Sequence, residues 1–352
     1  MRGTELLARF SFIFILLLCS ASFFARTFDS KEDNYIRAAI DFIANERYEK
    51  ADSVLSEFKR DFPASPFPYI YLAANNVSRK FNCNSPRFND AIYFSLSRAE
   101  TIADSLLSAE GGTLENYYAK ALALGYWAYF EGLKENYFSA FDYGSEALDY
   151  YDKCLDLDTS FTDAVIANAI YDYWISDKLG WLPFISDKRK SAISRLYASL
   201  DKNSYNRNLA VVSLFWILMN EKKYDDAKKI IVEQSRRYPR NRYLLMAYAN
   251  VEKRFDKRKA LSLYKKALEY TFTAKCDNKI NEIVLRHKIA MLEFELGNYD
   301  NVLEQCDIVL SYKLNEYEKE NVGERLTKIA KLKKNAERKK NTADNKHRRS
   351  KV

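Results

Sequence analysis

Two histidines are the side chains best suited to proton transfer in this sequence, since their unperturbed pKa lies close to neutral pH. His287 stands between Arg286 and Lys288, and His347 stands in a strongly basic C-terminal segment. Neither has a cysteine, a serine or a pair of carboxylates nearby at a spacing typical of catalysis. The sequence also contains no glycine-rich phosphate loop and no two-histidine zinc motif. We therefore expect no enzyme activity, no cofactor and no metal site.

The elements that carry these residues are predicted to be helices, and one helical phrase recurs along the chain. In residues 222–239, Ala227, Ile230, Ile231 and Gln234 share one helical face, and Pro239 then ends the helix. Related phrases, with apolar or aromatic residues four and seven positions after the first, occur at Ala51-Leu55-Phe58, Ala260-Tyr264-Ala267 and Val302-Cys306-Val309. This recurrence is typical of a repeat protein.

These phrases resemble the tetratricopeptide repeat, a helix-turn-helix unit of 34 residues with small residues where its two helices cross. The resemblance implies an all-α, right-handed α-solenoid of about seven helical hairpins. We place the hairpins at 33–63, 67–109, 113–158, 161–201, 206–240, 241–273 and 281–313, with a capping helix at 317–332. The solenoid as a whole is assigned to residues 26–332.

The hairpins within residues 67–201 are predicted to be longer than the standard unit. In the third hairpin the crossing residues are assigned to Gly125 and Ala147, and in the fourth to Ala169 and Ala192. The turn of the fourth hairpin, residues 178–184, is rich in large apolar side chains. Such a turn either packs against its own hairpin or presents a contact to a partner or a membrane surface.

Membership of this repeat family implies a non-enzymatic scaffold that binds a protein or peptide partner in its concave groove. The first helix of each hairpin lines that groove, and large aromatic side chains there suit binding. Transferring the groove positions of the repeat to this sequence gives five candidate residues, namely Asn75, Tyr126, Tyr129, Tyr173 and Trp216.

The N-terminus resembles an export signal. Arginines at positions 2 and 9 precede an apolar run from Phe10 to Leu18, and small residues follow. We expect residues 1–25 to be a signal peptide and the protein to be periplasmic or associated with the cell envelope. Two alternatives stay open: an uncleaved anchor, and a lipoprotein with its lipid on Cys19.

The C-terminal segment is strongly basic. From Arg325 onward there are 12 Lys or Arg residues against Glu337 and Asp344, whereas the whole chain has a net charge of +8. We expect residues 333–352 to be a disordered tail, because they contain too few apolar residues to pack. Such a tail suits an anionic surface, and no nucleic-acid partner is expected of an exported protein.

The exported chain would keep four cysteines: Cys83, Cys154, Cys276 and Cys306. An even number permits disulfides, and a Cys276–Cys306 bridge is one possibility. Cys154 and Cys306 occupy repeat positions expected to be buried, where cysteine acts as a small hydrophobe. An alternative function is also open, because residues 62–66 resemble the Phe-Pro-x-Ser-Pro junctions of periplasmic repeat proteins that serve outer-membrane assembly. In that alternative the chain is a membrane-tethered structural component of an envelope assembly, attached through its lipid, its apolar turn or its basic tail.

Overall fold

The computed structural model describes residues 30–183, 185–274 and 276–349, and this part of the chain is built from helices. Its fifteen α-helices are α1 (Ser30–Ala44), α2 (Tyr48–Asp61), α3 (Phe67–Cys83), α4 (Asn89–Glu110), α5 (Leu114–Leu133), α6 (Tyr137–Leu157), α7 (Thr162–Leu179), α8 (Arg189–Ser199), α9 (Arg207–Asn220), α10 (Tyr224–Arg237), α11 (Arg242–Glu252), α12 (Lys257–Thr273), α13 (Ile280–Glu295), α14 (Tyr299–Leu310) and α15 (Glu316–Arg349). A 3₁₀ turn (Pro86–Phe88) precedes α4.

Consecutive helices pair as seven hairpins, from α1–α2 to α13–α14, and each hairpin packs on the next. The α15 helix covers the last hairpin by packing on both α13 and α14. This is the all-α solenoid with a C-terminal capping helix that the repeat pattern predicts. The predicted units at 67–109 and 113–158 agree with the observed helix pairs to within two residues.

Local signals explain where several helices begin. The Thr113 hydroxyl accepts a hydrogen bond from the backbone N–H of Asn116, and the Asp256 carboxylate accepts from the backbone N–H groups of Arg258 and Lys259. These side chains satisfy N–H groups that the first turn of a helix leaves unpaired. The α10 helix buries Ala227, Ile231 and Gln234 on the face that the sequence predicts.

The core is a series of apolar clusters between successive hairpins. One cluster spans the first three hairpins, a second the fourth to the sixth, and a further one joins the seventh hairpin to α15. Most of each cluster lies between hairpins that are neighbours in sequence, as in a solenoid, and Tyr205 joins the first cluster from the start of the fifth hairpin.

The third hairpin packs closely through alanines, but one predicted crossing residue is wrong. Ala119, Ala121 and Ala123 on α5 are buried, and so is Ala147 on α6. At Gly125, by contrast, an added Cβ would meet no atom within 4 Å, so this glycine does not lie at the crossing. A Cβ at Gly144 would lie 3.8 Å from the Cβ of Ala128, so α5 and α6 approach each other closely at these two residues. In the fourth hairpin, Ala169 and Ala192 are both fully buried, as predicted.

The C-terminus differs from the disordered tail expected from residue 333. The α15 helix continues to Arg349, and Leu332 and the buried Ala336 extend its apolar stripe onto the seventh hairpin past residue 333. Ion pairs support this extension: Lys333 lies 2.6 Å from the Asp307 carboxylate, and Lys340 pairs with Asp300. The low apolar content of the segment misled the prediction, since a few well-spaced contacts order the helix.

The turn of the fourth hairpin exposes its tryptophan. Trp181 keeps 77% of its surface exposed, while Leu182 is half-buried. The base of the turn is fixed by the Ser176 hydroxyl, which accepts a hydrogen bond from the Lys188 backbone N–H at 3.0 Å. The exposure of Trp181 agrees with the second alternative for this turn, in which it presents a contact surface. Phe184 lies outside the described residues.

Candidate partner-binding surface

The first two hairpins contact the fifth, sixth and seventh hairpins directly, across the inner side of the solenoid. We call this set of contacts the inner clamp. Its residues are Asp33, Arg37, Glu46, Asn82, Cys83 and Asn84 on the N-terminal side, and Tyr205, Asn241, Arg242, Cys276, Asn278 and Asn281 on the C-terminal side.

A buried ion pair lies at the centre of the inner clamp. The Glu46 carboxylate accepts hydrogen bonds from the backbone N–H of Arg242 at 2.7 Å and from its guanidinium Nε at 2.8 Å. The same guanidinium donates to the Asn82 carbonyl at 3.2 Å. Only 3% of the Arg242 surface is exposed, so its charge depends on these partners rather than on water.

The C-terminal end of α3 is capped by residues from far along the chain. The last carbonyls of a helix lack partners within it, and Asn84, in a left-handed conformation with φ of 46°, turns the chain away at this end. The Asn278 amide donates to the carbonyls of Cys83 and Asn84 at 2.8 and 3.0 Å. The Asn281 amide donates to the Asn82 carbonyl at 2.8 Å. These bonds fix the end of α3 against α13 and the loop that precedes it.

A disulfide between Cys83 and Cys276 closes the inner clamp, across 193 residues of sequence. The Cys276–Cys306 pairing considered from the sequence is therefore wrong, because Cys306 is buried beneath α15 in the seventh hairpin as a free thiol. Burial raises the pKa of the Cys154 thiol to about 12 and that of Cys306 to about 11. Both thiols are thus protonated at neutral pH and behave as core side chains, as the repeat positions predict.

An aromatic surface lies beside the inner clamp. We call it the aromatic inner face; it comprises Phe81, Tyr126, Tyr129, Trp216 and Tyr243, from α3, α5, α9 and α11. The Trp216 indole N–H donates to the Tyr243 hydroxyl, and the Tyr243 and Phe81 rings meet edge to face with centroids 5.6 Å apart. Side chains from the second, third, fifth and sixth hairpins therefore form one surface.

Tyr129 is the most exposed ring of this surface, with 49% of its area exposed. Burial by the surrounding protein raises the pKa of its hydroxyl to about 12, and the nearby Tyr243 adds to the shift. Tyr126 is half-buried against the core, and burial raises its pKa to about 12 as well.

The two other candidates from the sequence lie within the packing. Asn75 is fully buried on α3, where its amide donates to the Tyr48 carbonyl at 3.1 Å and to the Asp52 carboxylate at 2.7 Å. Tyr173 is fully buried on α7, and its hydroxyl donates to Glu221 at 2.8 Å. Neither side chain reaches the accessible surface, because each bonds to the adjacent hairpin instead.

Sequence reasoning did not identify Phe81 and Tyr243 or any contact of the inner clamp. The available signal was the run Phe81-Asn82-Cys83-Asn84 at a helix end, together with Asn278 and Asn281 beside Cys276. Asparagine favours helix ends and turns, but its sequence position does not indicate a partner almost 200 residues away.

A second exposed surface lies where the long second and third hairpins turn. We call it the aromatic fringe; it comprises Tyr93 and Phe94 near the start of α4, and Tyr137, Phe138 and Phe141 near the start of α6. Tyr93 packs edge to face on the buried Trp127, which stacks on Tyr143 of α6, so the two helix starts are adjacent. Phe138 keeps 90% of its surface exposed. Exposed aromatic clusters of this kind mark contact surfaces.

Within the ranges that the structure describes, no group of three or more His, Cys, Asp or Glu side chains could hold a metal ion. The same ranges contain no helix long and apolar enough to cross a membrane. His287 is buried between α13 and α15, where it contacts Arg325, and it is not part of the aromatic inner face.

Comparisons with known proteins find similarity among solved structures. No protein-family model matches the chain, and no curated protein matches it. A tetratricopeptide repeat protein from Parabacteroides merdae is 15% identical, covering 87% of this chain and 99% of its own, with a TM-score of 0.36. A thermophilic repeat protein of the same class from Thermus thermophilus is 15% identical, covering 62% and 98%, with a TM-score of 0.39.

The C-terminal part of a tetratricopeptide repeat-containing protein from Cytophaga hutchinsonii is also similar, at 16% identity, covering 82% of this chain and 99% of its own, with a TM-score of 0.39. All three of these proteins are described as tetratricopeptide-repeat proteins. The candidate surfaces described above are instead defined by this chain's own side chains.

Proposed function

We propose that this chain is a non-enzymatic interaction scaffold that binds a protein or peptide partner on its aromatic inner face. The observation that carries the proposal is the exposure of Phe81, Tyr129 and Trp216 on one surface built from three helices. Large rings exposed together on a concave surface can bury apolar area against a partner, and these stiff side chains lose little conformational entropy when they do so. The partner is a segment that presents apolar side chains.

The rigidity of this surface favours binding further. The inner clamp fixes α3 against α11, and these helices carry Phe81 and Tyr243. A surface whose elements are already held in place loses less conformational freedom when a partner binds.

We propose that the scaffold is exported, with residues 1–25 as its signal peptide. That segment lies outside the described residues, as does Cys19 of the lipoprotein alternative. The Cys83–Cys276 disulfide supports export, since such bonds persist in oxidising compartments and are rare in the cytosol. A periplasmic or cell-envelope location fits both features.

The proposal is tested by selecting peptides from a phage-displayed random library on the full chain and measuring the affinity of the selected peptides. Tyr129→Ala should weaken binding about tenfold, because an aromatic anchor at an interface is worth 1–2 kcal/mol or more. Tyr197→Ala is the matched control, since this tyrosine is similarly exposed but lies on α8 at a distance from the inner face. Equal affinity of the two variants would show that the peptides bind elsewhere.

The alternative function, a structural component of an envelope assembly, is favoured by the aromatic fringe and the exposed Trp181. Aromatic rings are enriched at membrane interfaces, and the basic α15 helix would add attraction to anionic lipid. Cosedimentation with vesicles of phosphatidylglycerol and phosphatidylcholine tests this function. Phe138→Ala should lower binding that resists salt, whereas Phe272→Ala, an exposed ring on α12, should leave it unchanged. Loss of all vesicle binding at high salt would show that electrostatic attraction, and not the aromatic fringe, causes the binding.

A further inference from the structure

A cleft of about 560 Å³ lies between α13, the first helix of the last hairpin, and the capping helix α15. Arg325, Lys328 and Lys331 line it from α15, and His287 and Met291 line it from α13. Its size lies within the range of small-molecule sites. The cleft is separate from the aromatic inner face and takes no part in the function proposed above.

The cations around this cleft outnumber the carboxylates. Lys328 has an ion pair with Glu324 at 2.6 Å, at the exposed rim. Within the described part of the chain, no carboxylate lies within ion-pair distance of Arg325, Lys331 or the adjacent Lys288. Burial, Lys253 and Arg325 all lower the pKa of Lys288. Positive charges therefore repel each other here, and an anion would relieve that repulsion.

His287 adds a hydrogen-bond donor without adding charge. Its Nδ1 lies 3.1 Å from an Nη1 of Arg325, and a guanidinium can only donate, so Nδ1 accepts and the proton of the neutral ring is on Nε2. Burial, followed by the charges of Arg325, Lys288 and Lys328, lowers the pKa of His287 to about 4. The ring is thus neutral at pH 7 and orients Arg325.

We propose that this cleft binds the phosphate group of a small phosphate monoester, with Arg325, Lys328 and Lys331 contacting its oxygens and Met291 and Leu332 contacting its carbon-bearing part. A dianion matches a site with several cations and one rim carboxylate. The planar guanidinium of Arg325 suits the paired oxygens of phosphate. The apolar side chains of Met291 and Leu332 in the lining favour an ester over inorganic phosphate alone.

The test follows His287 by NMR while the full chain is titrated with glycerol 3-phosphate at constant ionic strength. The chain has two histidines, so a His347→Gln background leaves one imidazole signal. We expect a saturable change of the His287 signal. Lys331→Gln should weaken binding about tenfold, because it removes a charge-assisted contact. Lys319→Gln, an exposed lysine of the same helix outside the cleft, is the matched control and should bind as the parent does.

Each outcome decides the proposal. Saturation by glycerol 3-phosphate, weakened by Lys331→Gln, supports a soluble monoester as the source. A His287 change with vesicles containing phosphatidic acid, and none with glycerol 3-phosphate, supports the same chemistry presented by a lipid headgroup. A response to sodium acetate equal to that with phosphate, or no response to any phosphate probe, would overturn the site. Equal affinities of the Lys331→Gln and Lys319→Gln variants would also overturn it.

Discussion

The joints between neighbouring hairpins are built around apolar clusters with polar contacts beside them, whereas the inner clamp that joins the first two hairpins to the later ones is held by polar groups and a disulfide. Ala119 and Ala123 of α5 lie in or beside clusters of aliphatic and aromatic side chains. Glu46 and Arg242, by contrast, form a buried ion pair between residues 196 apart in sequence. Apolar burial tolerates many arrangements, but a buried charge requires one particular partner. The neighbour joints therefore build the solenoid, and the inner clamp joins its first two hairpins to the later ones.

The largest effect is expected from breaking the ion pair of the inner clamp. Arg242→Met keeps much of the side-chain volume but leaves the Glu46 carboxylate without its guanidinium. The free energy of unfolding, measured by urea denaturation, should fall by about 4 kcal/mol, as for other buried pairs that lose one partner. Lys257→Met, which breaks an exposed pair with Glu295, is the control and should cost under about 1 kcal/mol. Similar losses in the two variants would contradict a buried, structural pair.

The disulfide is expected to contribute somewhat less. Cys83→Ser removes a link across 193 residues and should lower the free energy of unfolding by about 3 kcal/mol. A reducing agent should destabilise the parent chain to the same extent and leave the variant unchanged. If the reducing agent destabilised the variant as well, another disulfide would have to exist.

A pH experiment tests a neighbour joint, that of α13 and α15. The pKa of His287 is lowered to about 4 in the folded chain, against about 6.5 for an unperturbed histidine. As the pH falls, His287 of the unfolded chain therefore binds a proton at a higher pH than His287 of the folded chain does. The contribution of His287 to stability is therefore fully present above pH 6.5 and is lost as the pH falls toward 4. It amounts to at most about 3 kcal/mol. The difference in stability between the parent and His287→Gln should shrink across this interval, and an imidazole that titrates near 6.5 by NMR would rule the effect out.

The smallest effects distinguish a packed joint from open space within one helix. Ala123→Leu should cost about 2 kcal/mol, because Ala123 is fully buried where α5 packs against its neighbours. Gly125→Ala, two residues along, should be neutral or stabilise by up to about 1 kcal/mol, since the added methyl meets no atom and alanine favours a helix. Thermal unfolding of both variants measures the contrast. If Gly125→Ala were destabilised, Gly125 would have to lie at the helix crossing after all.

The contrast between joints and clamp also explains what the sequence could predict. Hairpin bounds, buried alanines and the cap follow from helical periodicity, which is local information. The partner of Arg242 and the pairing of Cys83 with Cys276 depend on the curvature of the whole array. Of the five candidate groove residues, Tyr126, Tyr129 and Trp216 lie on the aromatic inner face, but Asn75 and Tyr173 are buried by bonds to adjacent hairpins. Register along a helix indicates the side that a residue faces, and it does not indicate how far the neighbouring hairpin covers that side.

The measurement that tests the inner clamp most directly is a peptide map of the non-reduced protein after alkylation of its free thiols. We expect a peptide that contains Cys83 to be linked to one that contains Cys276. Cys154 and Cys306 should be alkylated only after denaturation, because both are buried. Free thiols at Cys83 and Cys276, or a link from Cys276 to Cys306, would contradict the closed inner side on which the account of this protein depends.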